Sequence, residues 1–172
     1  SNEVKTIALL MLKLMEEYFD FQHSILLVLR PEEEVLEVVA THGYEVDNLG
    51  KTVKVGMGVI GMVAKKQRMM RMANLGAQRK YMQAISKNTG AEAVAGQIVG
   101  LPDAESQVAI PMKAEDRLLG VLSIESKKIN FYNPQDETLV TTLANLGAVS
   151  LKNALYLQQV EEAREQLREI NT

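Results

Sequence analysis

The sequence predicts an α+β domain in which helices cover both faces of a central, largely antiparallel sheet and a long helix forms the C-terminus. Two pairs of short β-branched runs, each pair joined by a tight acidic turn, indicate two hairpins. Helical spacing of apolar residues at the start, and again through the last quarter of the chain, indicates a helix at each end. The 172 residues suit one domain, since domains commonly hold about 100–150 residues.

The first half of the chain predicts a helix, a hairpin and a mixed segment in that order. Residues 3–19 form the helix, and the runs at 24–30 and 35–43 flank Pro31 and three glutamates as the strands of a hairpin. A third strand follows at 51–55, then helices at 59–68 and 77–86 on either side of the short apolar run 69–74. Residues 88–105 have no period and contain three glycines and a proline, which predicts a long loop of the kind that serves a site.

The second half predicts a hairpin followed by the long helix. Residues 106–113 and 117–128 alternate apolar and polar side chains on either side of an acidic turn. Pro134 then begins a helix, with Asp136 and Glu137 near the N-terminal end, where the helix dipole favours acids. We expect this helix to run to the C-terminus.

Alternation on the second hairpin separates a fully apolar face from a face that carries Gln107, Ser123 and Glu125. Polar side chains on a covered sheet face need partners, which a ligand or ordered water would supply. The alternative is a solvated face, the common arrangement in antiparallel sheets. Because helices and a long loop are available to cover this face, we predict a ligand pocket there.

Basic residues concentrate in the middle of a chain whose formal net charge is −3. Residues 48–91 contain nine lysines and arginines and no acid. The overall acidity argues against a nucleic-acid partner, whereas Arg71 and Arg79, in the segment expected to cover the pocket, favour an anion unless they only face water. Glu125 would bind a donor such as an amine. We therefore expect a small anionic, zwitterionic or nucleotide-like ligand.

Several enzyme classes are excluded by composition. With no cysteine, the chain has no disulfide, thiolate metal site, iron–sulfur cluster or cysteine nucleophile. The two histidines, His23 and His42, lie at strand edges, and no catalytic triad, paired histidine or phosphate loop is evident. We expect no catalytic residue, no metal site and no enzymatic activity.

The glycines at 56, 58 and 61 form a G-x-G-x-x-G pattern after a strand and before a helix, which matches a dinucleotide-binding turn. Such a turn needs an acid about 20 residues later, and residues 48–91 contain none. The strands upstream also predict a hairpin rather than a parallel crossover. A tight strand-to-helix turn explains these glycines better, and a nucleotide-dependent enzyme stays a distant alternative.

Four segments, at residues 54–67, 72–75, 106–128 and 131–154, resemble in order and spacing the landmarks of a GAF domain. The resemblance spans about residues 24–154. It implies a GAF-like sheet, a sensory role in a bacterial signalling protein of the sensor kinase, cyclase, chemotaxis or transcriptional regulator type, and a ligand between the sheet and residues 70–105. Together with the two arginines, the implied ligand-binding residues are Arg71, Met72, Asn74, Leu75, Arg79, Tyr81, Gln107, Ser123 and Glu125.

The resemblance also narrows the activities. Members that bind cyclic nucleotides carry an Asn-Lys pair, an aromatic residue and then Asp-Glu, whereas this sequence has Ser126-Lys127, Tyr132 and Asp136-Glu137. The signature is therefore incomplete. Members that reduce methionine sulfoxide require cysteines, and phytochrome-type members usually attach their bilin through one, so neither function fits this chain.

The C-terminal helix carries a heptad repeat, which predicts a parallel coiled coil that makes the protein a homodimer and transmits the ligand state. We divide the chain into an N-terminal helix at 1–23, the sensory domain at 24–154 and a signalling helix at 155–172. The longer parent protein would carry a covalently linked output domain. We expect a cytoplasmic location, with membrane attachment of the parent left open; the alternative function is a ligand-free dimerisation module with a vestigial pocket. The first and fourth heptad positions are Leu139, Leu146, Asn153, Val160 and Leu167, and Thr142, Val149, Tyr156, Ala163 and Ile170.

Overall fold

The structure is a computed structural model that describes residues 2–89 and 99–171. Residues 90–98 of the predicted loop at 88–105 lie outside these ranges. The described helices are α1 (Asn2–Phe19), α2 (Gly58–Lys66), α3 (Leu75–Thr89) and α4 (Pro134–Asn171). The described strands are β1 (His23–Arg30), β2 (Val35–His42), β3 (Thr52–Lys54), β4 (Met70–Met72), β5 (Ser106–Ala114) and β6 (Arg117–Ser126).

The strands form one sheet in the order β3-β2-β1-β6-β5-β4, and every neighbouring pair is antiparallel. Both predicted hairpins are confirmed, as β1–β2 and β5–β6. They join at the centre of the sheet, where β1 pairs with β6 and His23 lies opposite Glu125. The α+β class, with helices on both faces, is therefore also confirmed.

Helices α1 and α4 cover the apolar face of the sheet. This layer contains Val108, Ile110 and Met112 of β5 together with Leu122 and Ile124 of β6, which is the face that strand alternation predicts. The amphipathic α1 supplies the other half of the packing through residues four apart. Its buried side chains are Val4, Ala8, Leu12 and Met15.

Helix α2 covers part of the opposite face. Ile60, Val63 and Ala64 of α2 pack against a second apolar cluster on the central strands. The turn into α2 has Gly56 at φ +93°, where a side chain would be strained. A Cβ at Gly61 would overlap the carbonyl oxygen of Lys54. The glycine pattern is thus a close strand-to-helix packing device, and the antiparallel sheet contains no Rossmann crossover.

Helix α4 has 38 residues and is about 57 Å long. It begins with a reciprocal cap, in which the Asp136 N–H donates to Asn133 Oδ1 at 2.9 Å and the Asn133 N–H donates to Asp136 Oδ2 at 2.9 Å. The side facing the sheet carries small and branched residues, whereas the heptad residues face away from it. Exposed members of the heptad stripe are Leu146, Val149, Tyr156, Leu167 and Ile170.

No helix among the described residues is both long enough and apolar enough to span a membrane.

Two buried glycines give a matched test of this packing. A Cβ at Gly120 of β6 would overlap the backbone carbonyl of Leu27, whereas a Cβ at Gly147 of α4 would meet the flexible end of Met11. We expect Gly120→Ala to lower the free energy of unfolding by about 3 kcal/mol, because backbone cannot move aside. Gly147→Ala should stay within about 1 kcal/mol of wild type, since the gain in helix propensity offsets the side-chain shift. Urea denaturation measures both; equal losses would contradict the packing described.

Candidate functional site

A cavity of about 800 Å³ opens on the sheet face that α2 only partly covers. Its floor includes Gln107 of β5 and Glu125 of β6, and its walls come from β3, the first turn of α2, the first turns of α3 and residues 99–104. The volume lies in the range usual for small-molecule sites, about 300–1,000 Å³. The apolar part of the wall is formed by Val53, Met57, Val59, Ile60, Leu75, Val99, Leu101 and Ala104.

The polar side chains on this face of the sheet are buried, and two of them, Gln107 and Glu125, line the cavity. Glu125 is 6% exposed, Gln107 is 7% exposed and Ser123 is fully buried, so this face is not solvated. The Gln107 amide Nε2 donates to Ser123 Oγ at 2.9 Å. The three side chains share one face of the sheet, as strand alternation predicts, and the register of β5 on β6 places Gln107 directly opposite Glu125. Ser123 does not line the described part of the cavity.

The Glu125 carboxylate holds two separate loops at the cavity. Its Oε1 accepts a hydrogen bond from the Tyr44 hydroxyl at 2.6 Å and another from the Leu101 N–H at 3.2 Å. Beside it, Asn48 Oδ1 accepts from the Gly100 N–H at 3.2 Å. Tyr44 and Asn48 were absent from the predicted site, because the loop after β2 has no periodicity that indicates where its side chains point.

Helix α3 contributes Leu75 and Arg79 to the cavity wall. The Arg79 guanidinium donates to the carbonyl oxygen of Ala104 at 2.7 Å and lies 3.5 Å from Glu105 Oε1. Glu105 Oε2 also accepts from the Gly76 N–H at 3.1 Å. The arginine charge is therefore offset by a carboxylate of the same wall, and the contacts fix α3 against the start of β5.

The other predicted site residues lie outside the cavity lining. Arg71 projects from β4 toward α4, where it forms an ion pair with Glu137 and donates to the carbonyl oxygen of Tyr132 at 3.1 Å. Asn74 caps α3 by accepting from the Ala77 N–H at 3.3 Å. Met72 is half-buried beside Gln107 in the β4–β5 ladder, and Tyr81 is 67% exposed.

Burial perturbs the titration of Glu125 and of its hydrogen-bond partner Tyr44. Burial raises the pKa of Glu125 above its ordinary value, although the hydrogen bonds from Tyr44 and Leu101 act in the opposite direction. Burial, and then the nearby Glu125 charge, raise the pKa of Tyr44, so its hydroxyl remains a donor. Within residues 2–89 and 99–171, no three His, Asp or Glu side chains cluster as metal ligands would.

Three residues of the incomplete cyclic-nucleotide signature, Tyr132, Asp136 and Glu137, have structural roles. Tyr132 is buried in the layer between the sheet, α1 and α4. Asp136 caps α4, and Glu137 pairs with Arg71. None of these three side chains lines the described part of the cavity.

Comparison with known proteins places this architecture in a family. A family model described as GAF domain matches residues 1–152. The GAF domain of a phosphoenolpyruvate-protein phosphotransferase from Coxiella burnetii superposes with a TM-score of 0.72 at 18% identity, covering 92% of this chain and 88% of that one. The GAF-B domain of DevS from Mycobacterium smegmatis gives 0.63 at 16% identity, covering 91% and 98%.

A type II free methionine-R-sulfoxide reductase from Thermoplasma acidophilum is also similar, with a TM-score of 0.67 at 15% identity over 87% of this chain and 92% of that one. At these low identities, the superpositions show a shared fold alone. No curated protein matches the sequence.

The buried Glu125 carboxyl predicts a specific pH dependence of stability. Its pKa is raised in the folded state above the ordinary value of 4.5. The folded protein therefore has its full stability from this group below pH 4.5 and loses that contribution as the pH rises through the raised pKa. Glu125→Gln keeps the shape without the charge. The variant should match the wild type in acid and have the higher melting temperature near neutral pH.

Glu115→Gln is the control of opposite sign. A hydrogen bond from Lys152 lowers the pKa of the exposed Glu115, so removal of this carboxylate should slightly lower the melting temperature above pH 4.5. Melting curves of the two variants and the wild type across this pH range measure both effects. A neutral-pH loss in Glu125→Gln would show that the hydrogen bonds outweigh the desolvation.

Proposed function

The chain belongs to the GAF domain family, a small-molecule-binding regulatory fold, and we propose that it is a sensory domain that binds a small ligand in the cavity beside Glu125. We further propose that the ligand state is transmitted through a homodimer of helix α4 to a covalently linked output domain. The observation that carries the first proposal is the buried polar floor of a cavity of about 800 Å³.

Binding rather than catalysis is favoured by the side chains available. Reduction of a sulfoxide consumes two electrons, which a pair of thiols can supply, and the sequence contains no cysteine. The similar sulfoxide reductases therefore share the fold of this chain, but this chain has no thiol with which to reduce a sulfoxide. The cavity floor supplies hydrogen-bonding groups from Gln107 and Glu125, which suit recognition of a ligand.

The exposed stripe on α4 supports the dimer. Leu146 is 66% exposed and Ile170 is 78% exposed, although their heptad spacing is typical of a helix seam. The helix buries its other side as far as Ala154, and Leu155 still packs against this core, so residues 156–171 continue beyond the packed layer. A second copy of α4, aligned in parallel, would bury this stripe along its length.

Contacts from β4 and the residues before α3 to the start of α4 offer a path for the signal. Arg71 of β4 joins Glu137 in the first turn of α4. The Asn130 N–H donates to the carbonyl oxygen of Ala73 at 2.8 Å, which links the segment before α4 to the strand that leads into α3. A ligand that shifts α3 would therefore act on the start of α4 through these two contacts.

The alternative is a dimerisation module whose cavity holds no ligand. Native mass spectrometry of the purified protein separates the two, because a bound small molecule adds mass to the native species that disappears on denaturation. The sensory proposal expects such an adduct, or its appearance on exposure to a metabolite extract, and its loss in Glu125→Leu. Absence of any adduct under all these conditions favours the vestigial pocket.

The seam on α4 gives a direct prediction for assembly. Truncation after Ala154 removes the free part of the stripe and should raise the dimer dissociation constant at least about tenfold, since each apolar side chain withdrawn from an interface forfeits about 1.5–3 kcal/mol. Sedimentation equilibrium of the two proteins measures the change. Monomeric behaviour of both at high micromolar concentration would contradict the signalling-helix proposal.

Point substitutions give a matched pair for the same experiment. Leu146→Glu places a carboxylate within the stripe, whereas Gln158→Glu places one on the same helix outside it. We expect the first to weaken the dimer at least about tenfold and the second to leave it nearly unchanged. Equal effects of the two substitutions would mean that net charge, rather than the seam, controls assembly.

A further inference from the structure

The first turn of α2 forms part of the cavity wall and lacks a side-chain cap. Met57 occupies the cap position and its side chain makes no capping hydrogen bond, and the first turn contains no acidic residue. The first N–H groups of a helix have no partner within the helix and lie at the positive end of its dipole. Met57, Gly58, Val59 and Ile60 all line the cavity, so this end of the helix presents donors to a ligand.

Lys54, an exposed residue of β3, lines the same end of the cavity. No carboxylate in the described part of the chain forms an ion pair with it, in contrast to Arg79, which is paired with Glu105. Arg71, which the sequence also suggested for anion binding, is paired with Glu137. The cationic end therefore rests on Lys54 and the α2 terminus rather than on the two arginines.

The cavity floor, by contrast, favours a hydrogen-bond donor, because two of its side-chain oxygens have no donor among the described residues. Glu125 accepts both of its hydrogen bonds at Oε1, and no group in the described ranges donates to Oε2. The Gln107 amide uses Nε2 to bond Ser123, and its Oε1 likewise has no donor among the described residues. Both side chains are more than nine-tenths buried and line the cavity, so a molecule bound there could donate to these two oxygens.

We propose that the ligand is a small zwitterion of the amino-acid type, with its carboxylate at the α2 terminus and Lys54 and its ammonium at Glu125 and Gln107. This inference rests on the proposed function, since it names the ligand class of the same cavity. Of the anionic, zwitterionic and nucleotide-like ligands that the sequence predicts, this inference selects the zwitterion. An ammonium has three donors and no acceptor, which fits two acceptor oxygens, and the apolar wall at Leu75 and Leu101 would receive the side chain of the ligand.

The test is a binding screen of free α-, β- and ω-amino acids by thermal shift, followed by calorimetry of every compound that stabilises the protein. For each one, the N-acetyl derivative removes the cation and the carboxamide removes the anion. We expect each derivative to bind at least about tenfold more weakly than the parent, because charge-assisted hydrogen bonds are lost at one end. Binding of a derivative as tightly as its parent overturns the proposal, as does a screen in which no amino acid binds.

Variants assign the two ends. Lys54→Ala should weaken binding of the amino acid at least about tenfold while hardly changing the affinity for its carboxamide. Glu125→Gln should weaken binding of the amino acid by a similar factor while hardly changing the affinity for its N-acetyl derivative. Lys66→Ala, an exposed lysine at the far end of α2, is the control and should change nothing. Equal losses in Lys54→Ala and Lys66→Ala would contradict the assignment of the anion.

Failure of this inference is distinguishable from failure of the proposed function. A native-mass adduct that is not a zwitterion, present in the wild type and lost in Glu125→Leu, overturns the ligand class and leaves the sensory role intact. A cavity that binds neither an amino acid nor any component of a metabolite extract overturns both.

Discussion

The Glu125 carboxylate is buried where two loops and the centre of the sheet meet, and the arrangement around it depends on how that group is satisfied. A buried carboxylate is costly unless it is protonated or hydrogen-bonded. Here Tyr44 and Leu101 satisfy one oxygen, which fixes the loop after β2 and the segment before β5 beside the cavity. The second oxygen remains available, so the same group that organises the walls is also the strongest acceptor on the floor.

Much of the fold was predictable because its hydrophobic pattern is local. Alternation along β5 and β6 separated the apolar face from Gln107, Ser123 and Glu125, and a register shift of one residue would have exchanged the two faces. The heptad stripe on α4 is also a local pattern. It is exposed in the structure, and the buried residues of α4 form a second stripe that faces the sheet. Periodicity thus indicates the faces of an element, while packing decides what each face contacts.

The cavity walls were less predictable, since they depend on loops and on long-range partners. The sequence showed a cluster of arginines and an acid-free segment, but Arg71 and Arg79 find their carboxylates at Glu137 and Glu105, well outside that segment. A local charge count therefore overestimated the field inside the cavity. Conversely, the glycine turn at 56–61 was interpreted as structural, and it is; the same turn also aims the N-terminus of α2 at the cavity.

The two faces of the sheet have different physical roles. On the α1 and α4 face, the packed side chains are mainly apolar, which suits a rigid platform for a long helix. On the other face, polar groups and a cavity interrupt the packing, and this is the face on which we propose that a ligand binds. The Arg71–Glu137 pair and the Asn130–Ala73 hydrogen bond pass around the sheet edge at β4. Under the proposed function, these two contacts are the route by which a shift of α3 would act on the first turn of α4.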